Sequence, residues 1–179
     1  MKSKVRVAGH GLHPMLIAFP LGLLGISPLW DILRLATDKV SWGNIGYWTI
    51  VAGVLSAVVA AIPGFVDWIA IPKNTRAKTI GVWHMVTNLV VLALFAISLW
   101  LRQSTPGGHE AAGLSAFLPA WLGVAMSLVS AWFGGELVER LGMSVDEGAN
   151  LNAPSSLKAG GKGRPAPSPK VTTRPVSRA

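Results

Sequence analysis

Two histidines, His13 and His84, stand inside long apolar stretches of the sequence, where an ionisable side chain is costly and needs a partner. Imidazole ligates haem iron and transition metals, and sites of this kind are commonly built between the helices of a bundle. The pair is therefore a candidate ligand set for a b-type haem or a transition metal. His10, three residues before His13, is an alternative ligand.

Two carboxylates and one amide accompany the histidines. Asp67 and Glu136 fall near the ends of apolar stretches, and Asn88 follows His84 by about one helical turn. These groups could orient the imidazole rings, or the carboxylates could ligate a non-haem metal directly. Under this interpretation the protein is a redox-associated membrane subunit.

Two other interpretations use the same residues. In a structural network, the two histidines and the two carboxylates hydrogen-bond one another and lock helix ends together. Glu136 then pairs with Arg140, four residues later. In a proton or small-solute path, the same groups act as a relay. A cofactor-free structural or assembly protein and a conduit are therefore the alternatives to a cofactor protein.

The sequence carries no catalytic signature. A nucleophile elbow, a phosphate-binding glycine loop and a zinc-protease helix motif are all absent. The chain has no cysteine, which excludes disulfides, covalently attached c-type haem and cysteine-ligated iron–sulfur clusters within it. We therefore expect a binding or structural protein rather than an enzyme.

Two further ionisable residues are not predicted to belong to this site. Asp31 lies three residues before Arg34 in the first apolar stretch, which predicts an ion pair between them at the membrane interface. His109 lies in the glycine-rich stretch 106–110, and we expect it to be solvated.

The elements that must position these residues are four long apolar segments, at about residues 13–35, 45–71, 80–101 and 114–139. Roughly 20 residues of helix span the hydrocarbon of a bilayer. Half of the chain is hydrophobic and only 13% is charged. The sequence therefore predicts an all-α, polytopic membrane protein whose four-transmembrane-helix bundle occupies residues 13–145.

Basic residues concentrate at one end of this bundle. They lie before the first segment, between the second and third, and after the fourth: Lys2, Lys4, Arg6, Lys73, Arg76, Lys78, Arg140 and six tail residues. The opposite end has only Arg34, Lys39 and Arg102. By the positive-inside rule, both termini are predicted to be cytoplasmic, N-in and C-in.

The two terminal segments are predicted to lie outside the membrane. Residues 1–12 form a short cytoplasmic segment, and the composition of residues 146–179 is typical of a disordered tail. The basic tail residues are Lys158, Lys162, Arg164, Lys170, Arg174 and Arg178. They predict an attraction to anionic headgroups of membrane lipids. Because the net charge of +8 is explained by loops and tail, we expect no nucleic-acid partner.

Several short pieces of the sequence occur in an order and spacing typical of one family. They are His13-Pro14, Phe19-Pro20, Asp31, Pro63-Gly64-Phe65-Val66-Asp67, Arg76, His84 with Asn88, and Gly134-Gly135-Glu136-Leu137-Val138. Over about residues 9–145 the chain resembles the bacterial membrane proteins of domain of unknown function 2231 (DUF2231).

The resemblance implies a four-helix domain in a bacterial inner membrane, with no assigned activity. Some members carry a fused Rieske-type iron–sulfur domain, which implies a connection with electron transfer and a redox protein partner. This chain departs from the family at Leu141, where the family tends to place a histidine.

Overall fold

The structure, a computed structural model, describes residues 1–157 and is mostly helical within them. Five helices follow a short pair of strands: α1 (Leu12–Leu16), α2 (Ala18–Thr37), α3 (Val40–Ile69), α4 (Arg76–Gln103) and α5 (Leu114–Gly135). The last helix continues as a π-helical turn over Glu136–Arg140. The strands are β1 (Arg6–Val7) and β2 (His10–Gly11), paired antiparallel.

Four helical segments are long and apolar enough to cross a membrane: Leu12–Thr37, Val40–Ile69, Arg76–Gln103 and Leu114–Arg140. They confirm the predicted four-helix membrane bundle. Two of them start earlier than the sequence predicted, at Val40 and Arg76. Thr75 explains the second start, because its hydroxyl accepts a hydrogen bond from the amide of Lys78 and caps α4.

The first span has a break at Ile17, between α1 and α2. Pro20 has no N–H to donate to the carbonyl of Leu16, so one bond of the helical ladder is missing there. Pro28 lies inside α2 without ending it. Its missing bond would have gone to the carbonyl of Leu24, which accepts a hydrogen bond from the Ser27 hydroxyl at 2.8 Å instead.

The bundle has two distinct ends. The terminal end carries the strands, the start of α1, the connection between α3 and α4, and the π-helical turn. The loop end carries the tight turn between α2 and α3 and the longer α4–α5 connection, which includes a 3-10 turn over His109–Ala111. Asp38 makes the tight turn possible by adopting a left-handed conformation, with φ of 53°.

The centre of the bundle is apolar. Leu24, Ile50, Val91, Phe95 and Ala120 pack together there, one or more from each of the four long helices. Large apolar side chains on the outer surfaces of the same helices are exposed, as expected where lipid replaces water. The chain therefore buries a small central core and presents its other apolar face to the bilayer.

Residues 146–157 of the predicted tail contact the amino-terminal segment. Asp146 forms an ion pair with Arg6 at 2.8 Å, and the Ser156 hydroxyl donates to the carbonyl of Ala8 at 3.0 Å. The six basic residues of the predicted tail, Lys158, Lys162, Arg164, Lys170, Arg174 and Arg178, lie outside the described residues.

Candidate functional site

His13 lies in α1 at the terminal end and packs against α3. Its Nδ1 is 2.8 Å from the carbonyl oxygen of Ala60. Because a carbonyl oxygen only accepts, Nδ1 is the donor, and in the neutral tautomer of this ring the lone pair lies on Nε2. The ring fits closely over Gly64, where an added Cβ would lie 2.8 Å from Nδ1. The glycine therefore makes room for the imidazole.

His84 occupies a comparable setting between α4 and α5. Its Nδ1 is 2.9 Å from the carbonyl oxygen of Ser130, so this ring also keeps its lone pair on Nε2. An added Cβ on Gly134 would lie 3.3 Å from the ring. The side-chain amide nitrogen of Asn88 lies 3.2 Å from Nε2 and 2.8 Å from the backbone carbonyl of His84.

The structure brings the two rings together across the bundle. The ring centroids of His13 and His84 are 6.4 Å apart, and the ring planes are inclined at 82°. Both side chains are partly buried. His10 does not join them: it is exposed, lies in β2, and bonds through Nδ1 to the carbonyl of Ala8 in its own segment at 3.2 Å.

Asp67 holds the amino-terminal segment. Its carboxylate is buried and accepts hydrogen bonds from the Ser3 hydroxyl and the Lys4 amide, both at 2.6 Å. These bonds fix the chain that precedes β1 over the terminal end of α3. The carboxylate therefore acts on the segment that leads into His13, rather than on an imidazole.

Glu136 pairs with Arg76 from the start of α4. The predicted pair between Glu136 and Arg140 is therefore wrong. Residues 136–140 form a π-helical turn, in which the amide of Leu141 bonds to the carbonyl of Glu136 five residues earlier. The side chain four residues later then no longer lies directly over Glu136, and Arg76 takes its place.

The candidate site therefore consists of the two histidines, with no third His, Asp or Glu side chain of residues 1–157 grouped with them. Among residues 1–157, no three His, Asp or Glu side chains are grouped closely enough to hold a metal ion. The described side chains offer two imidazoles, each anchored through Nδ1 to a different neighbouring helix. Nε2 of His84 also has a partner, the side-chain amide of Asn88 at 3.2 Å.

The sequence profile of a family described as a predicted membrane protein, DUF2231, matches residues 9–147. The chain belongs to the DUF2231 family. The match confirms the resemblance carried by the short motifs and, with the four apolar helices, makes this a membrane protein with four candidate spans. No curated protein and no solved structure matches the chain.

A second polar site of this DUF2231 protein lies toward the loop end and was missed from the sequence. Asp31 and Arg102 are both fully buried, and one guanidinium nitrogen lies 2.8 Å from each carboxylate oxygen. The Trp121 indole donates to Asp31 at 3.1 Å, and Arg102 donates through Nε to the Ser98 hydroxyl at 3.1 Å.

The predicted pair between Asp31 and Arg34 is therefore wrong. Asp31 points into the bundle, whereas Arg34 pairs with Asp38 at 3.2 Å and donates to the carbonyl of Glu110 at 3.1 Å. Helix α4 continues to Gln103, so Arg102 is a helix residue and not an interfacial loop charge. The sequence did contain a signal for this pair, because an acidic and a basic residue within two different spans are expected to pair with each other.

His109 is not simply solvated, contrary to the prediction. Its ring stacks on Tyr47 with centroids 4.1 Å apart, and its Nε2 lies 3.1 Å from the side-chain oxygen of Asn44. The residue therefore fastens the α4–α5 connection of this DUF2231 protein to the start of α3.

Proposed function

We propose that this protein is a redox-associated membrane subunit that binds one transition-metal centre through Nε2 of His13 and His84. The centre is the iron of a b-type haem or a metal ion. The supporting observation is that both imidazoles donate Nδ1–H to a backbone carbonyl of a neighbouring helix. Metal-ligating histidines are typically held in this way, because the bond fixes both the tautomer and the ring orientation.

The separation of the rings suits ligation of a single metal. Imidazole nitrogens lie about 2.0–2.1 Å from a bound transition metal, so two rings that held one metal would have centroids up to about 6 Å apart. The observed separation is 6.4 Å. The Asn88 amide would have to turn away from Nε2 of His84 for this ring to ligate.

The two possible centres differ in what else they require. His13 and His84 would be the two protein ligands of a b-type haem, which needs no further side chains on its iron. A metal ion needs further ligands, and water is the natural source at a partly buried site near the membrane surface. When bound, either centre supplies one-electron chemistry or Lewis acidity that the chain's own residues lack.

The charge distribution supports a cytoplasmic location for the site. Basic residues flank the terminal end, so this end is proposed to face the cytoplasm of a bacterial cell, with both termini inside. The site then lies where a cytoplasmic or membrane-bound redox protein partner can approach. The proposed lipid contacts of the basic tail belong to the same surface.

A cofactor-free structural role is the second candidate, and a specific observation favours it. Three polar side chains near the terminal end already join parts of the fold: His13 joins α1 to α3, His84 joins α4 to α5, and Asp67 holds the amino-terminal segment. A transmembrane conduit has less support. Ile50 and Phe95 are fully buried in the apolar centre that separates the histidines from the loop-end ion pair.

Absorption spectroscopy and elemental analysis of the detergent-purified protein separate these functions. Protein from haem- and metal-sufficient cells is expected to carry a Soret band or a stoichiometric transition metal. His13→Ala and His84→Ala should each lose it while still inserting into the membrane. His109→Ala is the matched control, because it removes an imidazole at the loop end and should leave the content unchanged. Equal content in all four proteins would reject the assignment.

A further inference from the structure

The buried positions of α2 recur in α4 at a constant spacing of 71 residues. Each of the buried residues of α2 has a buried counterpart: Pro20 and Val91, Leu24 and Phe95, Ser27 and Ser98, Asp31 and Arg102. His13 and His84 show the same spacing. Val91 keeps the N–H that Pro20 lacks, which explains why α4 is continuous where the first span is broken.

A similar recurrence relates α3 to α5, at a spacing of 70 residues. The buried pairs are Gly46 and Ala116, Ile50 and Ala120, Gly53 and Gly123, and Ala60 and Ser130. Gly64 and Gly134, which lie under the two imidazoles, show the same spacing. The exposed faces repeat as well, for example at Val59 and Val129.

Equivalent residues also make equivalent contacts. His13 bonds to the carbonyl of Ala60, and His84 bonds to that of its counterpart, Ser130. An added Cβ on Gly53 would clash with the Leu24 side chain.

In the second pair of helices, an added Cβ on Gly123 would strike Phe95, the counterpart of Leu24, at 2.9 Å. The packing of α2 on α3 is thus repeated in the packing of α4 on α5, and these are the two most extensive helix contacts in the bundle.

We infer that the membrane domain consists of two copies of one two-helix unit, related by a pseudo-two-fold axis along the bundle. The first unit is α1–α3, and the second is α4–α5 with the π-helical turn. Both units run from the terminal end to the loop end and back. They therefore have the same orientation in the membrane, as in transporters with parallel repeats.

Two residue pairs mark the axis. A residue that contacts its own counterpart across a two-fold interface must lie close to the axis. His13 meets His84 near the terminal end, and Asp31 meets Arg102 toward the loop end. The axis therefore runs through the centre of the bundle, with one polar pair toward each end and the apolar core between them.

The ion pair makes the two units specific for each other. Two copies of the first unit would place two buried carboxylates at the axis, and two copies of the second would place two guanidinium groups there. Buried like charges oppose association strongly, so only the mixed pair is stable. The histidines differ in this respect, because both units contribute the same side chain to the axis.

Exchanging the two charges in the full-length chain tests the inference. Asp31→Arg or Arg102→Asp alone buries two like charges and should lower the melting temperature by roughly 10 °C or more. In the double exchange, opposite charges are restored, and the guanidinium introduced by Asp31→Arg would meet Ser27, the counterpart of Ser98. The exchange should recover about half of the loss or more.

Recovery is expected to be incomplete, since Val51 occupies the position equivalent to Trp121 and donates no hydrogen bond. Adding Val51→Trp to the exchange supplies the indole and should raise the melting temperature further. An exchanged protein no more stable than the worse single variant would overturn the inference.

A distance measurement keeps the test independent of how well these variants fold. The chain has no cysteine, so spin labels can be placed at single exposed positions. A two-fold axis makes the distance from Ile26 to Val129 equal to that from Ile97 to Val59, four residues that are all exposed. Coincident distance distributions are expected, and clearly separated ones would contradict the axis. Neither experiment depends on a bound cofactor.

Discussion

Arg102 binds Asp31 across the centre of the bundle, where neither side chain has any exposed surface. One guanidinium nitrogen contacts both carboxylate oxygens, and the guanidinium also lies 4.5 Å from the ring centre of Phe117. Charges at such depth are costly unless they are paired. This pair therefore holds α2 and α4 in one relative position.

Asp31→Asn is expected to destabilise the protein by about 3–5 kcal/mol, because it leaves the Arg102 charge buried without a counter-charge. The thermal midpoint in detergent should fall by roughly 10 °C. Asp38→Asn is the control, since the Asp38 side chain is 96% exposed and its pair with Arg34 should contribute under about 1 kcal/mol. Equal midpoints for the two variants would show that the central pair does not hold the bundle together.

Gly64→Ala is expected to displace the imidazole of His13, because the new methyl group would lie 2.8 Å from Nδ1. The bond to the Ala60 carbonyl should be lost, at a cost of about 1–3 kcal/mol, together with bound metal or haem. Gly134→Ala should have a smaller effect, as its methyl group would lie 3.3 Å from His84.

Gly135→Ala is the matched control for these two variants. An added Cβ there meets nothing within 4 Å, so neither stability nor cofactor content should fall. Thermal midpoints and cofactor analysis of the three variants measure these effects, and the loss should be largest for Gly64→Ala, smaller for Gly134→Ala and absent for Gly135→Ala. A Gly64→Ala protein indistinguishable from Gly135→Ala would contradict the close fit of the ring.

Asp67→Asn is expected to loosen the amino-terminal segment without unfolding the bundle. The amide group is a weaker acceptor than the carboxylate for the Ser3 hydroxyl and the Lys4 amide. Faster hydrogen–deuterium exchange at residues 3–11, with unchanged exchange in α4, is the predicted result. Glu147→Gln, an exposed carboxylate beyond the bundle, should leave both regions unchanged. Loss of protection throughout the helices would instead assign Asp67 to the core of the bundle.

The contact between Arg6 and Asp146 is expected to weaken in acid. The hydrogen bond from Arg6 lowers the pKa of the Asp146 carboxyl below its ordinary value. A contact that lowers a carboxyl pKa is fully present above the unfolded pKa of about 3.9 and is lost as the pH falls through the lower folded value. Hydrogen exchange at residues 6–11 should therefore speed up below about pH 4, after correction for intrinsic rates.

Asp146→Asn removes the titrating group of this contact. In this variant, hydrogen exchange at residues 6–11 should be fast at neutral pH and should show no further change in acid. If the parent protein showed the same profile as this variant, the ion pair would not be formed in solution.

The sequence was informative about the elements and about one pair of site residues. Four apolar segments of about 20 residues are a signal set by membrane thickness, and they placed the spans to within a few residues. His13 and His84 were identified because an imidazole in an apolar helix needs a partner. Their meeting depends on tertiary packing, which the sequence alone could only suggest.

There are physical reasons why the other contacts could not be predicted from the sequence. Arg102 was placed outside the third segment, because a cation ends an apolar stretch even where the helix itself continues. The π-helical turn that separates Glu136 from Arg140 has no sequence pattern of its own. The duplication is hidden because equivalent positions keep their size and burial more often than their identity, as with Leu24 and Phe95.

Cofactor content per polypeptide in the purified parent protein tests the central claim most directly. Elemental analysis and the visible spectrum should reveal about one transition-metal ion or one b-type haem for each chain. Colourless preparations without metal, from cells well supplied with both haem and metals, would contradict the assignment of His13 and His84 as ligands.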